Sequence, residues 1–250
     1  IIPDVATAYV THVPGAAALV VQYVRRRMKA TLMFPRNKEE GAYFESLAYF
    51  AARRARTFKD HDQLVAETDA VGVVKRTNFI KQVVVQEWSL DVAELNIFIY
   101  DIESVPDWLM TEFFRHRLIV REWSFEQRSK RALPTGKIPI LMPPQIADDP
   151  EALDRFNFLA GISIGTADYL KSRGYPPEVQ RYAALDAAEV SFVCAGNARA
   201  LHHLFTMRGS QELVGESGGK ASPEFQRLID AMYNQAREVC PLLFDKVLVS

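Results

Sequence analysis

The chain has 250 residues, enough for one large domain or two small ones. Thirty basic against 31 acidic side chains leave a formal charge of −1, which argues against a dedicated nucleic-acid coat protein. No apolar stretch approaches the roughly 20 residues of a membrane span, and two cysteines, Cys194 and Cys240, have neither zinc-ligand spacing nor the numbers for a disulfide framework.

The hydrophobic fraction of 48% and the charged fraction of 24% are ordinary for a globular protein. No secretory signal is evident, although the sequence opens at Ile1 without a Met; the simplest address is a reducing cytoplasm. In chain order, Ala16 to Val24 is apolar and runs into Arg25-Arg26-Arg27; a strand and a short helix both fit its periodicity. Phe34-Pro35-Arg36-Asn37 reads as a turn. Helical spacing follows in Glu39 to Phe58, through Tyr43, Leu47, Phe50 and Ala51, and in Thr77 to Trp88, through Phe79, Ile80, Val83 and Val84. Leu95 to Ile102 alternates and is rich in β-branched and aromatic residues, so it predicts a strand.

Ser104-Val105-Pro106-Asp107 is a helix-start signal, and the helix should carry Trp108 to about Arg117. A proline-rich loop spans Pro134 to Pro150. Asp149-Pro150 caps a helix that ends at Arg173-Gly174. Pro176-Pro177-Glu178 opens the next element, with Arg181 one turn in. Ala187 to Met207 predicts as largely helical, ending at Arg208-Gly209. Gly215 to Gly219 form a loose loop, and Ser222-Pro223-Glu224 caps a final amphipathic helix through Phe225, Leu228, Ile229 and Met232. There is no internal repeat, and a single domain over residues 1–250 is the economical expectation.

Two constellations carry chemistry. The first is Glu112-Phe113-Phe114-Arg115-His116-Arg117, running on to Ser124-Phe125-Glu126-Gln127-Arg128-Ser129-Lys130-Arg131. A basic run at a helix end is usually a solvated face or a cation cluster on the helix dipole. These cations, however, sit among Phe113, Phe114, Leu118, Ile119, Val120 and Trp123, and unpaired buried charge is costly. Arginine forks bind phosphate bidentately and stack on rings, so the run suits a phosphorylated aromatic ligand. The second is Asn197, Arg199, His203 and Arg208, with Arg199 and His203 on one helical face. His202 beside them fits the commoner role of a satisfied core histidine.

Both stretches resemble the flavin-dependent thymidylate synthases (ThyX). Arg115-His116-Arg117 followed by Ser124-Phe125-Glu126-Gln127-Arg128-Ser129-Lys130-Arg131 is similar to that family's Arg-His-Arg, spacer and serine motif. Asn197-Ala198-Arg199-Ala200-Leu201 through Arg208 matches the later Asn-Ala-Arg pattern, Arg181 stands where the family places a nucleotide-binding arginine, and Cys240-Pro241 resembles its C-terminal segment. The resemblance covers roughly residues 77 to 247. Four departures stand out. The spacer from Arg117 to Ser129, residues 118 to 128, is longer than usual by about one helical turn, as in the polyoxin-type uridylate C5-methylases of nucleoside-antibiotic pathways. His203 replaces a flavin-touching asparagine. Leu95 or Asn96 falls where many members have a flavin-proximal histidine. Glu212 to Ala221 is an apparent insertion.

The resemblance implies an α+β fold, a mixed or antiparallel sheet flanked by helices, assembled as a homotetramer with shared active sites. It implies C5-methylation of the uracil ring of dUMP or UMP, with FAD, NADPH as reductant and methylenetetrahydrofolate as carbon donor. By motif position Arg208 is the catalytic group that stabilises developing charge on uracil. Glu112, Arg115, Gln127, Ser129, Lys130, Arg131 and Arg181 would hold the nucleotide. Arg115, His116, Arg117, Gln127, Asn197, Arg199 and His203 would line the FAD. The family activates uracil without a protein thiolate, and neither cysteine lies in a motif with an activating base. No metal, membrane or nucleic-acid partner is expected. Two other classes compete: an RNA- or single-strand-binding module built on the Arg/aromatic stretch 115–131, and a catalytically inactive relative.

Overall fold

Asn96, Phe98, Tyr100 and Ile102 do what a half-buried strand requires: all four side chains are fully buried, while Leu95 and Ile97 are exposed. The computed structural model describes residues 4–11, 20–86, 90–114, 123–127, 138–215 and 220–244; for 4–11, 20–27, 84–86, 90, 114 and 123–127 it describes the backbone alone. In chain order the elements are β1 (Asp4–Thr11), β2 (Val20–Arg27), β3 (Lys29–Phe34), α1 (Lys38–Arg54), α2 (His61–Ala70), α3 (Val73–Ile80), β4 (Ile97–Pro106), α4 (Asp107–Phe114), β5 (Trp123–Gln127), β6 (Ile140–Leu141), α5 (Pro150–Ser172), α6 (Pro177–Gln180), β7 (Glu189–Asn197), α7 (Ala198–Arg208), α8 (Gln211–Val214), α9 (Pro223–Val239) and α10 (Pro241–Phe244). The fold is a helix-rich α+β arrangement with small sheets, ordered β2-β1-β6 and β3-β4-β7-β5.

The chain divides into two compact units: Ile1–Lys29, Ile102–Phe113 and Glu126–Phe192 form one, and Ala30–Asp101, Phe114–Phe125 and Val193–Ser250 the other. In the first, β1 and β2 pair antiparallel from Asp4 opposite Arg27 to Thr11 opposite Val20, so Arg25, Arg26 and Arg27 lie on a strand. β6 joins the other edge of β1 through Thr7–Leu141 and Ala8–Ile140. Ile140 packs with Ala160 and Ile164 of α5, against which Phe156, Leu185 and Ala187 are half-buried. The cap of α5 is as the sequence predicts: the Asp149 carboxylate accepts from the Glu151 and Ala152 N–H groups at 3.1 Å, with Pro150 in the first turn. Its C-terminal side reaches Gly174, whose φ of 79° suits glycine. The Ser104–Asp107 helix start is shifted: β4 runs to Pro106, and α4 begins at Asp107, where the Asp107 and Trp108 N–H groups donate to the Ala188 and Asp186 carbonyls at 3.0 and 3.1 Å.

The second unit is built on an aromatic ladder. Edge-to-face contacts run Phe34–Phe44–Phe98–Phe244, each at 5.3 Å, and Phe205 meets both Phe244 and Tyr233. The Tyr100 hydroxyl donates to the Met232 carbonyl at 2.9 Å, fixing β4 against α9. Gln235 of α9 reads the backbone of β3, accepting from Leu32 N–H at 2.7 Å and donating to the Ala30 carbonyl at 2.9 Å. The helix predicted to Phe58 ends at Arg54, and α2 follows, opened by a reciprocal capping box between Asp60 and Gln63. The helix predicted from Thr77 is α3 continued by a π-helical turn at Lys81–Gln86; residues 87 to 89 lie outside those described.

The largest correction concerns Ala187 to Met207. Its first half is β7, not helix, and only Ala198–Arg208 is helical. The physical reason is visible in composition: Val190, Phe192 and Cys194 alternate with Ser191 and Val193, a period of two that suits a strand. β7 runs antiparallel to β4, since Ala198 N–H donates to the Asn96 carbonyl at one end and Asp107 N–H to the Ala188 carbonyl at the other.

Candidate functional site

The strand-to-helix step at Asn197–Ala198 organises the site in the second unit. Asn197 is the N-cap of α7; its backbone is extended and its side-chain oxygen accepts from Ala200 N–H at 2.9 Å. That bond is made by the amide oxygen, so the NH2 takes no part in the cap. Arg199, one residue into the helix, is exposed and ion-paired with Glu94 on the turn before β4. His203 lies one turn on and half-buried. Burial, and secondarily the Arg208 charge, hold its imidazole below the ordinary value, so it is neutral at pH 7. Arg208 closes α7, half-buried, with Gly209 N–H donating to the Phe205 carbonyl at 2.8 Å just beyond it.

One group here is marked in the sequence only as a departure from the family pattern, with no sign of its burial. Asn96 is 0% exposed, and neither its carboxamide oxygen nor its nitrogen has a hydrogen-bond partner among the described residues. Its backbone carbonyl is the one that receives Ala198 N–H, so the orphaned amide sits at the root of α7. A buried amide with no partner is expensive, and each such group calls for an explanation. The Glu94 contact likewise spans 105 positions of sequence, too far for a spacing rule to find.

In the first unit, Glu112 lies half-buried on α4. Arg181 opens the 3-10 turn after α6; its Nε is buried and has no hydrogen-bond partner among the described residues. Gln127 is the last residue of β5 and is described by its backbone alone. Arg115, His116, Arg117, Ser129, Lys130 and Arg131 lie outside the described residues. Cys194 and Cys240 are fully buried, and that burial pushes both thiols up, so neither is a thiolate nucleophile at neutral pH.

The family model described as thymidylate synthase complementing protein, Thy1, matches residues 40–242. The chain belongs to the Thy1 family. Within that match fall every arginine of both motifs and the Asn96–Asn197 step. Among curated relatives of this Thy1 chain, the flavin-dependent thymidylate synthase of Mycobacterium marinum is 28% identical over 148 residues, covering 53% of this chain and 54% of the relative. That of Nitratidesulfovibrio vulgaris is 29% identical over 155 residues, covering 59% and 58%. The chain thus spans little more than half the length of the curated relatives it matches. The same fold is seen in a UMP/dUMP methylase, PolB, from Streptomyces cacaoi, solved with 5-Br dUMP. That match has a TM-score of 0.67 at 14% identity and covers 88% of this chain and 94% of the other. The α+β expectation holds, and the chain is a divergent ThyX-like member.

Proposed function

We propose that this Thy1-family chain is an FAD-dependent enzyme that methylates carbon 5 of the uracil ring of a uridine nucleotide. Methylenetetrahydrofolate would be the carbon donor and NADPH the reductant, and the working form is a homotetramer with shared sites, the whole chain serving as one flavin- and nucleotide-binding domain. The observation that carries this reading is the α7 start: a capping asparagine, an anchored arginine, a neutral histidine and a terminal arginine on one helix, rooted on an orphaned buried amide.

The residues present fit a flavin. The ring edge of that cofactor offers acceptors that the Asn197 NH2 can match, and the Arg199 guanidinium suits its anionic or carbonyl-rich portions. Bound FAD would supply the electrons that complete the methyl group. The chain's own residues do the rest. Asn197, Arg199 and His203, with His116 and Arg117, hold the cofactor. Gln127 and Arg115 reach both ligands. Glu112, Arg131 and Arg181, helped by Ser129 and the Lys130 backbone, bind the nucleotide.

Arg208 stabilises negative charge on uracil N3 and O2 while carbon 5 attacks. A guanidinium stays protonated throughout, and its fork meets two acceptors at once. The buried cysteines support the same route, because no thiolate is at hand to activate the ring covalently. The lengthened spacer at residues 118–128 and the fold shared with a UMP/dUMP methylase favour acceptance of both sugars.

The test is a competition. Purified protein, FAD, NADPH and methylenetetrahydrofolate meet equal dUMP and UMP, and products are read by mass. Gain of one methyl group on both nucleotides is expected. Gain on dUMP alone would remove the sugar tolerance, and gain on neither would overturn the assigned reaction.

A further inference from the structure

Asp230 is out of character with the helix that carries it. Around it α9 buries Leu228, Ile229, Met232 and Tyr233, and Asp230 stands half-buried in the middle of that run. Aspartate is a poor helix former in an interior position, because its short carboxylate competes for nearby backbone N–H groups. Here the carboxylate is aimed off the helix. Its Oδ1 accepts from Ser210 N–H at 3.0 Å, across 20 positions of sequence.

Ser210 lies two residues beyond Arg208 and is 8% exposed. Its other polar groups are engaged as the N-cap of α8: the hydroxyl accepts from Leu213 N–H at 3.3 Å and the carbonyl from Val214 N–H at 3.0 Å. A buried N–H left without an acceptor is costly, and Asp230 supplies one. Tyr233, one turn along the same face of α9, packs edge-to-face on Phe205 at 5.4 Å. Helix α9 therefore holds α7 at Phe205 and the chain again at Ser210, and Arg208 is carried between these two points. The exit is tight: a Cβ added to Gly209 would lie 2.6 Å from the Phe205 carbonyl oxygen.

We propose that Asp230 is a positioning residue for Arg208, acting through the backbone two residues beyond it. This rests on the proposed role of Arg208 in stabilising charge on uracil. The last turn of a helix lacks intrahelical partners for its carbonyls and frays readily, and Arg208 sits at that end of α7. The chain then enters the apparent insertion Glu212 to Ala221 before it reaches α9. Sequence continuity therefore does little to hold the exit of α7, and the bond from Ser210 to Asp230 ties it to α9 directly. A carboxylate makes a stronger bond to the N–H than a neutral acceptor does. Precision matters at this point, because misplacing a catalytic group by about 1 Å can cost on the order of 10²-fold in rate. Asp230 itself touches neither nucleotide nor flavin in this scheme.

The test is a double-mutant cycle in the full-length chain, read as methyl transfer to dUMP. Asp230→Ala should lower kcat roughly 10- to 100-fold, with KM for the nucleotide and flavin absorbance little changed. Asp230→Asn keeps a side-chain oxygen that can accept from Ser210 N–H, so it should recover turnover to within a few-fold of the parent. In an Arg208→Ala background Asp230→Ala should cost little more, because both changes remove the same interaction. An equal fold-loss in both backgrounds would overturn the proposal, since the aspartate would then act on the fold and not on Arg208. So would parental kcat in Asp230→Ala, or an Asp230→Asn no better than the alanine. Amide hydrogen exchange at Ser210 reads the tether without the reaction: it should quicken in Asp230→Ala, and unchanged exchange would also overturn the proposal. Quickened exchange in a protein whose parent transfers no methyl group would support the tether and count against the assigned reaction.

Discussion

Arg208 and Arg199 sit on one helix, and the proposed reaction gives them different work that substitution should separate. In the proposed reaction Arg208→Ala removes the fork that would meet charge developing on uracil, and loss of one such donor typically costs on the order of 10²–10³-fold in turnover. Flavin absorbance in the purified variant should be close to normal; turnover within a few-fold of the parent would remove Arg208 from the catalytic role. Arg199 is positioned by Glu94, and both side chains are partly exposed, at 48% and 38%. An exposed ion pair contributes at most about 1 kcal/mol to stability. Glu94→Gln should therefore leave the melting temperature nearly unchanged while FAD is retained less well, and equilibrium flavin titration would measure it. Unchanged flavin affinity would mean that Glu94 does not position the arginine. At this scale the motif residues were legible because their spacing is local. Glu94 was not, since its significance comes from a tertiary neighbour, and Asn96 stood out only as a departure from the family pattern, its burial being invisible in the sequence.

Elements were legible where one period dominates. The Asp149-Pro150 cap and the Ser222 cap, whose hydroxyl accepts from Phe225 N–H at 3.2 Å, appear where the sequence puts them, and the strand expected over Leu95 to Ile102 forms over Ile97–Pro106. Ala187 to Met207 misled because a buried strand feeds directly into a helix without an intervening loop, so apolar content runs on while the period changes from two to 3.6. The packing of α1 on the end of α9 was equally hidden. Gly41 presses so closely on Val239 that an added Cβ would lie 1.8 Å from the Val239 carbonyl oxygen. That is backbone, which cannot swing aside as a flexible side chain can. Gly41→Ala should accordingly destabilise by about 1–3 kcal/mol through overpacking, although alanine is the better helix former. Denaturant titration would report it as a lowered midpoint with an unchanged slope; a midpoint equal to the parent's would show that the two helices yield.

Acid should weaken the whole molecule through a histidine that the catalytic motif does not use. His202 is buried on the face of α7 away from His203, stacked on Phe244 at 4.8 Å, with Nε2–H donating to the Leu243 carbonyl at 2.5 Å. This bond, the Glu45 carboxylate accepting from Leu242 N–H at 3.0 Å and the Tyr233 hydroxyl on the Phe244 carbonyl at 2.9 Å pin α10 to three helices. Burial lowers the imidazole from its ordinary 6.5 to about 4. The unfolded chain therefore binds the proton first. The stability tied to neutral His202 is complete above pH 6.5 and is lost as pH falls towards about 4, in total on the order of 3 kcal/mol. Half-buried His203 acts in the same direction. Glu45 acts oppositely: burial raises its carboxyl, so its contribution is present at low pH and fades as pH rises through the folded value. Glu67, lowered to about 2 by hydrogen bonds from Lys59 and then Arg53, contributes stability that starts to be lost as pH falls through the ordinary 4.5 and is gone below about 2. A difference measurement separates these groups. His202→Gln keeps an N–H donor but cannot titrate, so its unfolding free energy should fall less steeply than the parent's between pH 6.5 and 4. The two slopes should run parallel above pH 7. Parallel slopes across the acid window as well would mean that His202 is protonated in the native protein, and that α10 is held without it.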